Sequence, residues 1–206
     1  MNRDAPISGF VGLVVEPDAA TIRAAYELAA ELLPPAAEQR LTHGDLPHVT
    51  LTQCALRDVP RARVKALIAR LDQRLAGTRL RLDHVVSFPG GFVFWTVDPD
   101  STERRQLQAA HEEALTLADG ALDPTINARV VEATARATGD DEALVGNARR
   151  YGYAFVNERY LPHITLGFAP NAPFAPQRRA HVMTVARVVL AKLGRLGRVE
   201  DVYTLR

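Results

Sequence analysis

One hexapeptide occurs twice in this chain, and it constrains the fold more than any other feature of the sequence. Residues 46–51 read Leu-Pro-His-Val-Thr-Leu and residues 161–166 read Leu-Pro-His-Ile-Thr-Leu, so five of six positions are identical and the sixth is a Val/Ile exchange. Because successive side chains of a strand point to opposite faces, the His and the Thr of each copy share one face, about 7 Å apart, over an apolar underside. The repeat therefore predicts two matched strands that each present an imidazole and a hydroxyl.

Two such strands side by side would place His48 and His163 across a groove, with Thr50 and Thr165 on its floor. Imidazole titrates near pH 6.5, so one histidine of a pair can act as general base while the other acts as general acid. Hydroxyl groups donate hydrogen bonds to the oxygens of a bound anion. The set fits hydrolysis of a phosphodiester or cyclic phosphate without a metal. Which histidine is the base depends on which ester oxygen leaves, and both assignments stay open.

The rest of the chain alternates strand and helix patterns. Strands are predicted at residues 8–15, 48–53, 80–88, 92–97, 163–168, 182–190 and 199–205. Helices are predicted at residues 18–33, 58–76, 98–118 and 124–137, with a short one ending at Arg150. A tight turn is predicted at Pro89, Gly90 and Gly91, and a proline-rich loop at Pro170, Pro173 and Pro176. Strands alternating with helices and ending in a hairpin indicate an α+β fold with mostly antiparallel sheets.

Composition excludes several classes of protein. With 206 residues, 47% apolar and 24% charged, the chain has enough apolar surface for a packed domain and is not intrinsically disordered. The formal net charge of +1 argues against a broad basic or acidic binding face. A single cysteine permits no intrachain disulfide, and no segment is apolar for the length that a membrane span needs. We expect a soluble, cytoplasmic protein with no membrane association.

Charge is unevenly distributed along the chain. From residue 178 onward, seven Lys and Arg residues stand against two acidic residues, a local excess of +5. Such a stretch either flanks an RNA backbone, because basic side chains supply sequence-independent phosphate affinity, or forms the solvated face of a hairpin.

The two His-x-Thr motifs resemble the signature of the two-histidine phosphoesterase superfamily, which includes the RNA 2′,3′-cyclic phosphodiesterases historically called 2′-5′ RNA ligases. The opening strand with Phe10, the segment 85–95 and the run 160–167 are also similar, so the resemblance covers most of the chain except residues 119–157. It implies two pseudo-symmetric lobes of mostly antiparallel sheet, flanked by helices around a central cleft, in one domain spanning residues 1–206.

The resemblance also implies the chemistry. A hydrolase of this kind would act on a nucleotide or RNA end that bears a cyclic phosphate, with no metal, no cofactor and no obligate protein partner. The catalytic residues that it implies are His48, Thr50, His163 and Thr165. The alternatives are a nucleotide-binding or RNA-end-binding module of the same fold without turnover, and a structural or adaptor domain.

The departure from the family pattern is a mainly helical insertion at about residues 119–157, which we expect to cap or flank the cleft. Its Arg149 and Arg150 either reach a phosphate or form a solvated helix end near the negative end of the helix dipole. Phe10 and Tyr160 either stack on a nucleobase or pack in the core.

Other candidate sites are weaker. His43, Asp45 and His48 suggest a metal site, but no further ligand at familiar spacing completes it. Cys54 shares the strand face of His48 by parity yet lies about 20 Å along the strand, too far for a Cys–His dyad. The isolated histidines are interpreted as surface residues or as satisfied strand and helix residues: His84, His111 and His181.

Overall fold

The computed structural model describes residues 5–88, 90–170 and 174–205, and it is an α+β fold on one eight-stranded antiparallel sheet. The strands are β1 (Ile7–Pro17), β2 (Gln39–Arg40), β3 (Val49–Val59), β4 (Arg79–Phe88), β5 (Phe92–Val97), β6 (His163–Phe168), β7 (Gln177–Leu193) and β8 (Val199–Val202). The helices are α1 (Ala19–Leu32), α2 (Arg61–Leu75), α3 (Thr102–Ala114), α4 (Pro124–Thr138) and α5 (Glu142–Tyr151). In these ranges no helix combines the length and apolarity needed to cross a membrane. The predicted turn includes Pro89 and the predicted proline-rich loop includes Pro173. Both prolines lie outside the described residues.

The sheet divides into two lobes that share one strand. Strands pair in the order β1, β3, β6, β5, β4, β7, β8, and β7 also pairs with β1. Residues 177–184 of β7 pair with β4, whereas residues 185–192 pair with β1. The first lobe therefore holds β3, β1, the second half of β7 and β8, and the second lobe holds β2, β6, β5, β4 and the first half of β7. Each lobe contains one copy of the repeat, so the predicted two-lobed antiparallel architecture is confirmed.

The main core lies between three helices and one face of this sheet, called here the core face. Apolar stripes of α1, α2 and α3 supply Leu28, Leu71 and Leu107, which join Leu13 and Leu166 of the sheet in one buried cluster. Helix α1 begins where the sequence predicts, because the Asp18 side chain accepts hydrogen bonds from the free N–H groups of its first turn, and Ser101 caps α3 in the same way. The face opposite the core face carries the histidines and threonines of the repeat, and we call it the motif face.

Several predicted boundaries were wrong. Strand β3 runs on to Val59, β7 begins at Gln177 rather than at residue 182, and α2 begins only at Arg61. The hydrogen-bond ladders with β1 and β4 extend over polar residues that apolar periodicity does not mark. Helix α3 ends at Ala114 and tightens into a 3-10 turn, and strand β2 lies in a segment for which no strand is predicted.

The insertion folds as a helical hairpin of α4 and α5 with its own small core. Asp123 and Asp141 cap the two helices, and Gly139 and Gly152 end them in the left-handed conformation that favours glycine. The hairpin docks on β3, where the Asp123 amide donates to the Ala55 carbonyl. Its buried residues are Leu144, Ala148 and Ala154, against which Phe155 packs.

Candidate active site

The two copies of the repeat meet at the seam between β3 and β6. Val49 pairs with Ile164 in an antiparallel bridge, so the central residue of one repeat lies opposite the central residue of the other. Antiparallel register then sets His48 opposite Thr165, and Thr50 opposite His163, all on the motif face. His48 and Thr165 accordingly line one pocket together. The four repeat residues form a single set related by a local two-fold axis.

The two imidazoles are held in the same way. The Nδ1 atom of His48 lies 2.8 Å from the carbonyl oxygen of Leu46, and that of His163 lies 2.6 Å from the carbonyl oxygen of Leu161. Because a carbonyl can only accept, the proton is on Nδ1 in each ring, and Nε2 carries the free lone pair. Each Nε2 is thus ready to accept a proton, or to donate one once the ring is protonated.

Burial favours the neutral form of both histidines. Burial lowers the pKa of His48, partly opposed by its bond to the Leu46 carbonyl. Burial also lowers the pKa of His163 to about 4, and the neighbouring His48 adds a smaller lowering effect. The ring of Phe94 stacks on His163 with 3.6 Å between centroids, which accounts for part of that burial.

A β-bulge follows the threonine in both copies. In the pairing of β1 with β3, Leu51 is the extra residue, and in the pairing of β5 with β6 it is Leu166, the same position of the repeat. The first bulge reverses the alternation of β3, so that Cys54 lies in the main core with Val49. The expected placement of Cys54 on the face of His48 was therefore wrong, and burial raises the pKa of its thiol to about 12.

Buried side chains support the first motif from behind. His111 is fully buried on α3, its Nδ1 donates to the Leu51 carbonyl at 2.5 Å, and its Nε2 accepts from the Asn157 amide at 2.9 Å. The Tyr160 ring stacks on His111 with 3.9 Å between centroids, and its hydroxyl donates to the Thr50 carbonyl at 3.0 Å. Tyr160 is 5% exposed and belongs to the main core, which is the core-packing alternative of the sequence analysis rather than stacking on a nucleobase.

The remaining binding candidates lie on β1 and α5. Phe10 is half-buried in a second apolar cluster with Val14 and Leu193. Arg149 and Arg150 are exposed in the last turn of α5, and the Arg150 guanidinium lies 5.0 Å from the centroid of the Tyr151 ring. A phosphate contact by either arginine stays a prediction.

The metal site suggested by His43, Asp45 and His48 does not form. The ring of His43 packs edge-on against Tyr26, 4.6 Å between centroids, and the Asp45 carboxylate binds Thr42 and Arg198. Throughout the described ranges, no three His, Cys, Asp or Glu side chains are grouped so as to hold a metal ion. Arg198 belongs to the segment 196–199, which lines the pocket beside His48.

The basic C-terminal stretch is matched by acidic side chains, five of which come from elsewhere in the chain. Its six described cations form ion pairs: Arg178 with Asp83, Arg179 with Glu31, Arg187 with Glu16, Lys192 with Glu200, Arg195 with Glu38 and Arg198 with Asp45. The local excess of charge is thus balanced in space, and contact of this stretch with RNA stays a prediction.

Comparison with known proteins gives a family match and a fold match. The family model described as the 2′-5′ RNA ligase superfamily matches residues 14–196. A crystal structure of a phosphoesterase superposes with a TM-score of 0.55 at 16% identity, covering 96% of this chain and 97% of that one. The crystal structure of TT0787 of Thermus thermophilus superposes with a TM-score of 0.55 at 21% identity, and 95% of each chain is covered. The crystal structure of E. coli LigT complexed with NADP+ superposes with a TM-score of 0.52 at 15% identity, covering 96% of this chain and 95% of that one. No curated protein matches the sequence significantly.

Sequence reasoning missed the side chains that surround the four repeat residues. Strand parity predicts that Phe92 and Phe94 share a face, but only the pairing of β5 with β6 turns that face toward His163. Nothing in the sequence connects His111 with Leu51, because 60 residues separate them.

Proposed function

This chain belongs to the 2′-5′ RNA ligase superfamily, and from that premise we propose that it is a metal-independent phosphodiesterase that hydrolyses a cyclic phosphate on a nucleotide or RNA end. The observation that carries the proposal is the Val49–Ile164 bridge, which joins two histidines and two threonines in one symmetric set. An acid and a base on opposite sides of one phosphorus are what in-line opening of a cyclic phosphate requires.

The proposed reaction uses the two free Nε2 atoms. One neutral imidazole takes a proton from a water molecule as the oxygen of that water bonds to phosphorus. The other imidazole, protonated at Nε2, gives its proton to the sugar oxygen as the phosphorus–oxygen bond of the ring breaks. The hydroxyls of Thr50 and Thr165 donate hydrogen bonds to the non-bridging oxygens, where negative charge grows in the transition state. The local two-fold symmetry allows His48 and His163 to take either role.

The depressed pKa values fit this cycle. Two neutral imidazoles in the free protein supply a base at once, and the acid forms when a bound phosphate anion raises the pKa of the second ring. The ligands of E. coli LigT in its crystal structures include phosphate, 3′-AMP and ATP. They support a phosphate on a nucleotide as the group that this cleft accepts.

The proposal predicts hydrolysis of 2′,3′-cyclic nucleotides by the purified protein in excess EDTA. Replacing His48 or His163 with alanine is expected to lower kcat/KM at least about 100-fold, because each removes one proton-transfer group. The rates would be measured by phosphorus NMR, which also identifies the 2′ or 3′ product.

The matched control is His84→Ala, since the His84 side chain is exposed, pairs with Asp83 and lies on β4, two strands from His163. It should leave the rate unchanged. Loss of activity in EDTA with recovery on adding a metal would disprove the mechanism. Tight nucleotide binding without turnover of any substrate would favour the binding-module alternative instead.

A further inference from the structure

Five of the seven phenylalanines of the chain gather in one cluster beside His163. Phe94 lies 5.2 Å from Phe88 and 5.7 Å from Phe92 between ring centroids. Phe92 in turn lies 4.8 Å from Phe168, and Phe88 lies 5.4 Å from Phe155. Because Phe94 also stacks on His163, the cluster is continuous with the candidate active site.

Strand register places the strand members of this cluster on the motif face. Phe94 pairs with Thr165, Phe92 pairs with Phe168 across the bulge, and Phe88 pairs with Phe92. Their side chains therefore point to the same side of the sheet as the histidines, away from the main core. We call Phe88, Phe92, Phe94 and Phe168 the aromatic face.

The aromatic face is only partly covered. Phe88, Phe92 and Phe168 are half-buried and none of them joins a buried apolar cluster of the described chain. Phe155 reaches it from the insertion, where the small core of the helical hairpin anchors that ring. A row of partly exposed phenylalanines on the motif face is unfavourable in water, so it indicates a binding surface.

We propose that the aromatic face, closed at one side by Phe155, binds the nucleobase of the substrate, an inference that rests on the proposed function. Phenyl rings offer no donor to a phosphate, but they stack on the π-face of any base. A base on this surface lies beside the His163 ring, so its own phosphate can reach the histidines and threonines. The insertion then acts in substrate binding, through Phe155, rather than as a remote appendage.

Calorimetric binding of two ligands tests the inference without requiring turnover. Adenosine 3′-monophosphate and ribose 3-phosphate carry the same phosphate and sugar, and only the first carries a base. We expect the nucleotide to bind on the order of tenfold more tightly, because stacking of one base on an aromatic side chain contributes about five- to 150-fold in affinity. Phe92→Leu and Phe155→Leu should each abolish most of that preference while leaving the affinity for ribose 3-phosphate unchanged.

The control variant is Phe174→Leu, a half-buried phenylalanine that packs on the main core. It should keep the preference for the nucleotide, and circular dichroism would verify the fold of all three variants. The inference would be overturned if the native protein bound the two ligands equally tightly. It would also be overturned if Phe92→Leu and Phe155→Leu kept the full preference for the nucleotide, even with hydrolysis of cyclic phosphates intact. A dimer that Phe92→Leu converts to monomer would overturn it as well, since a second copy would then cover the face. Absence of hydrolysis with the nucleotide preference intact would reject only the proposed function.

Discussion

His48 and His163 have the same hydrogen bond but not the same surroundings. Each Nδ1 donates to the carbonyl two residues earlier, which fixes one tautomer in both rings. The Phe94 ring covers His163, and the pKa of His163 is lowered to about 4. A charge on either imidazole is therefore costly until an anion arrives, and protonation should be linked to anion binding.

That linkage is measurable with sulfate, which does not titrate between pH 5 and 8. The ordinary pKa of histidine is about 6.5, the free protein holds His163 well below it, and a bound anion shifts it upward again. At pH 6.5 sulfate binding should therefore take up protons, and the affinity should rise as pH falls. Calorimetry in buffers of different ionisation enthalpy measures the uptake directly.

The double variant His48→Gln/His163→Gln provides the control for this titration. It keeps a hydrogen-bonding side chain at both positions but has no group that titrates there. Sulfate binding to the native protein without proton uptake, or equal uptake by the double variant, would contradict the linkage.

At the scale of elements, the bulges explain why helix α3 carries a buried histidine. A bulge removes the carbonyl of its extra residue from the normal ladder, and a buried carbonyl requires another partner. His111 supplies that partner for Leu51, whereas the backbone amide of Leu41 supplies it for Leu166 at 2.9 Å. The same irregularity is thus satisfied by a helix in one lobe and by a loop in the other.

Replacing His111 with alanine should destabilise the protein by about 2–5 kcal/mol, because the Leu51 carbonyl and the Asn157 amide both lose their partner. Urea unfolding followed by circular dichroism measures the change. His111→Gln should recover part of the loss, since a carboxamide can both donate and accept. A loss below about 0.5 kcal/mol in the alanine variant would show that these two bonds do not support the motif strand.

At the scale of the whole molecule, the two lobes are joined by more than the seam. Strand β7 crosses from one lobe to the other, and a single apolar cluster includes residues of α1, α2, α3 and six strands. The hairpin of α4 and α5 lies outside that cluster, and α4 contains no buried residue.

We therefore expect the two lobes to unfold together. Fluorescence of Trp95, the single tryptophan, and far-ultraviolet circular dichroism should give the same urea midpoint. Hydrogen exchange in α4 should be much faster than in β1, because its backbone bonds are exposed. Separate midpoints for the two probes would show that the lobes are independent folding units.

The sequence by itself determined the local features of this protein. Periodicity and capping residues were enough to predict the α+β class and most helices. The repeat was enough to single out His48, Thr50, His163 and Thr165 as residues that share a strand face within each copy. These features depend on residues close together in the chain, where alternation and helical spacing hold.

Only the tertiary structure decided what surrounds those four residues. Strand order put Val49 opposite Ile164, a bulge moved Cys54 into the core, and Tyr160 became a buried support rather than a ligand contact. The aromatic face likewise exists only because β4, β5 and β6 are neighbours. Such contacts join residues far apart in the chain, and they depend on register and sheet order, which the local pattern of one strand does not specify.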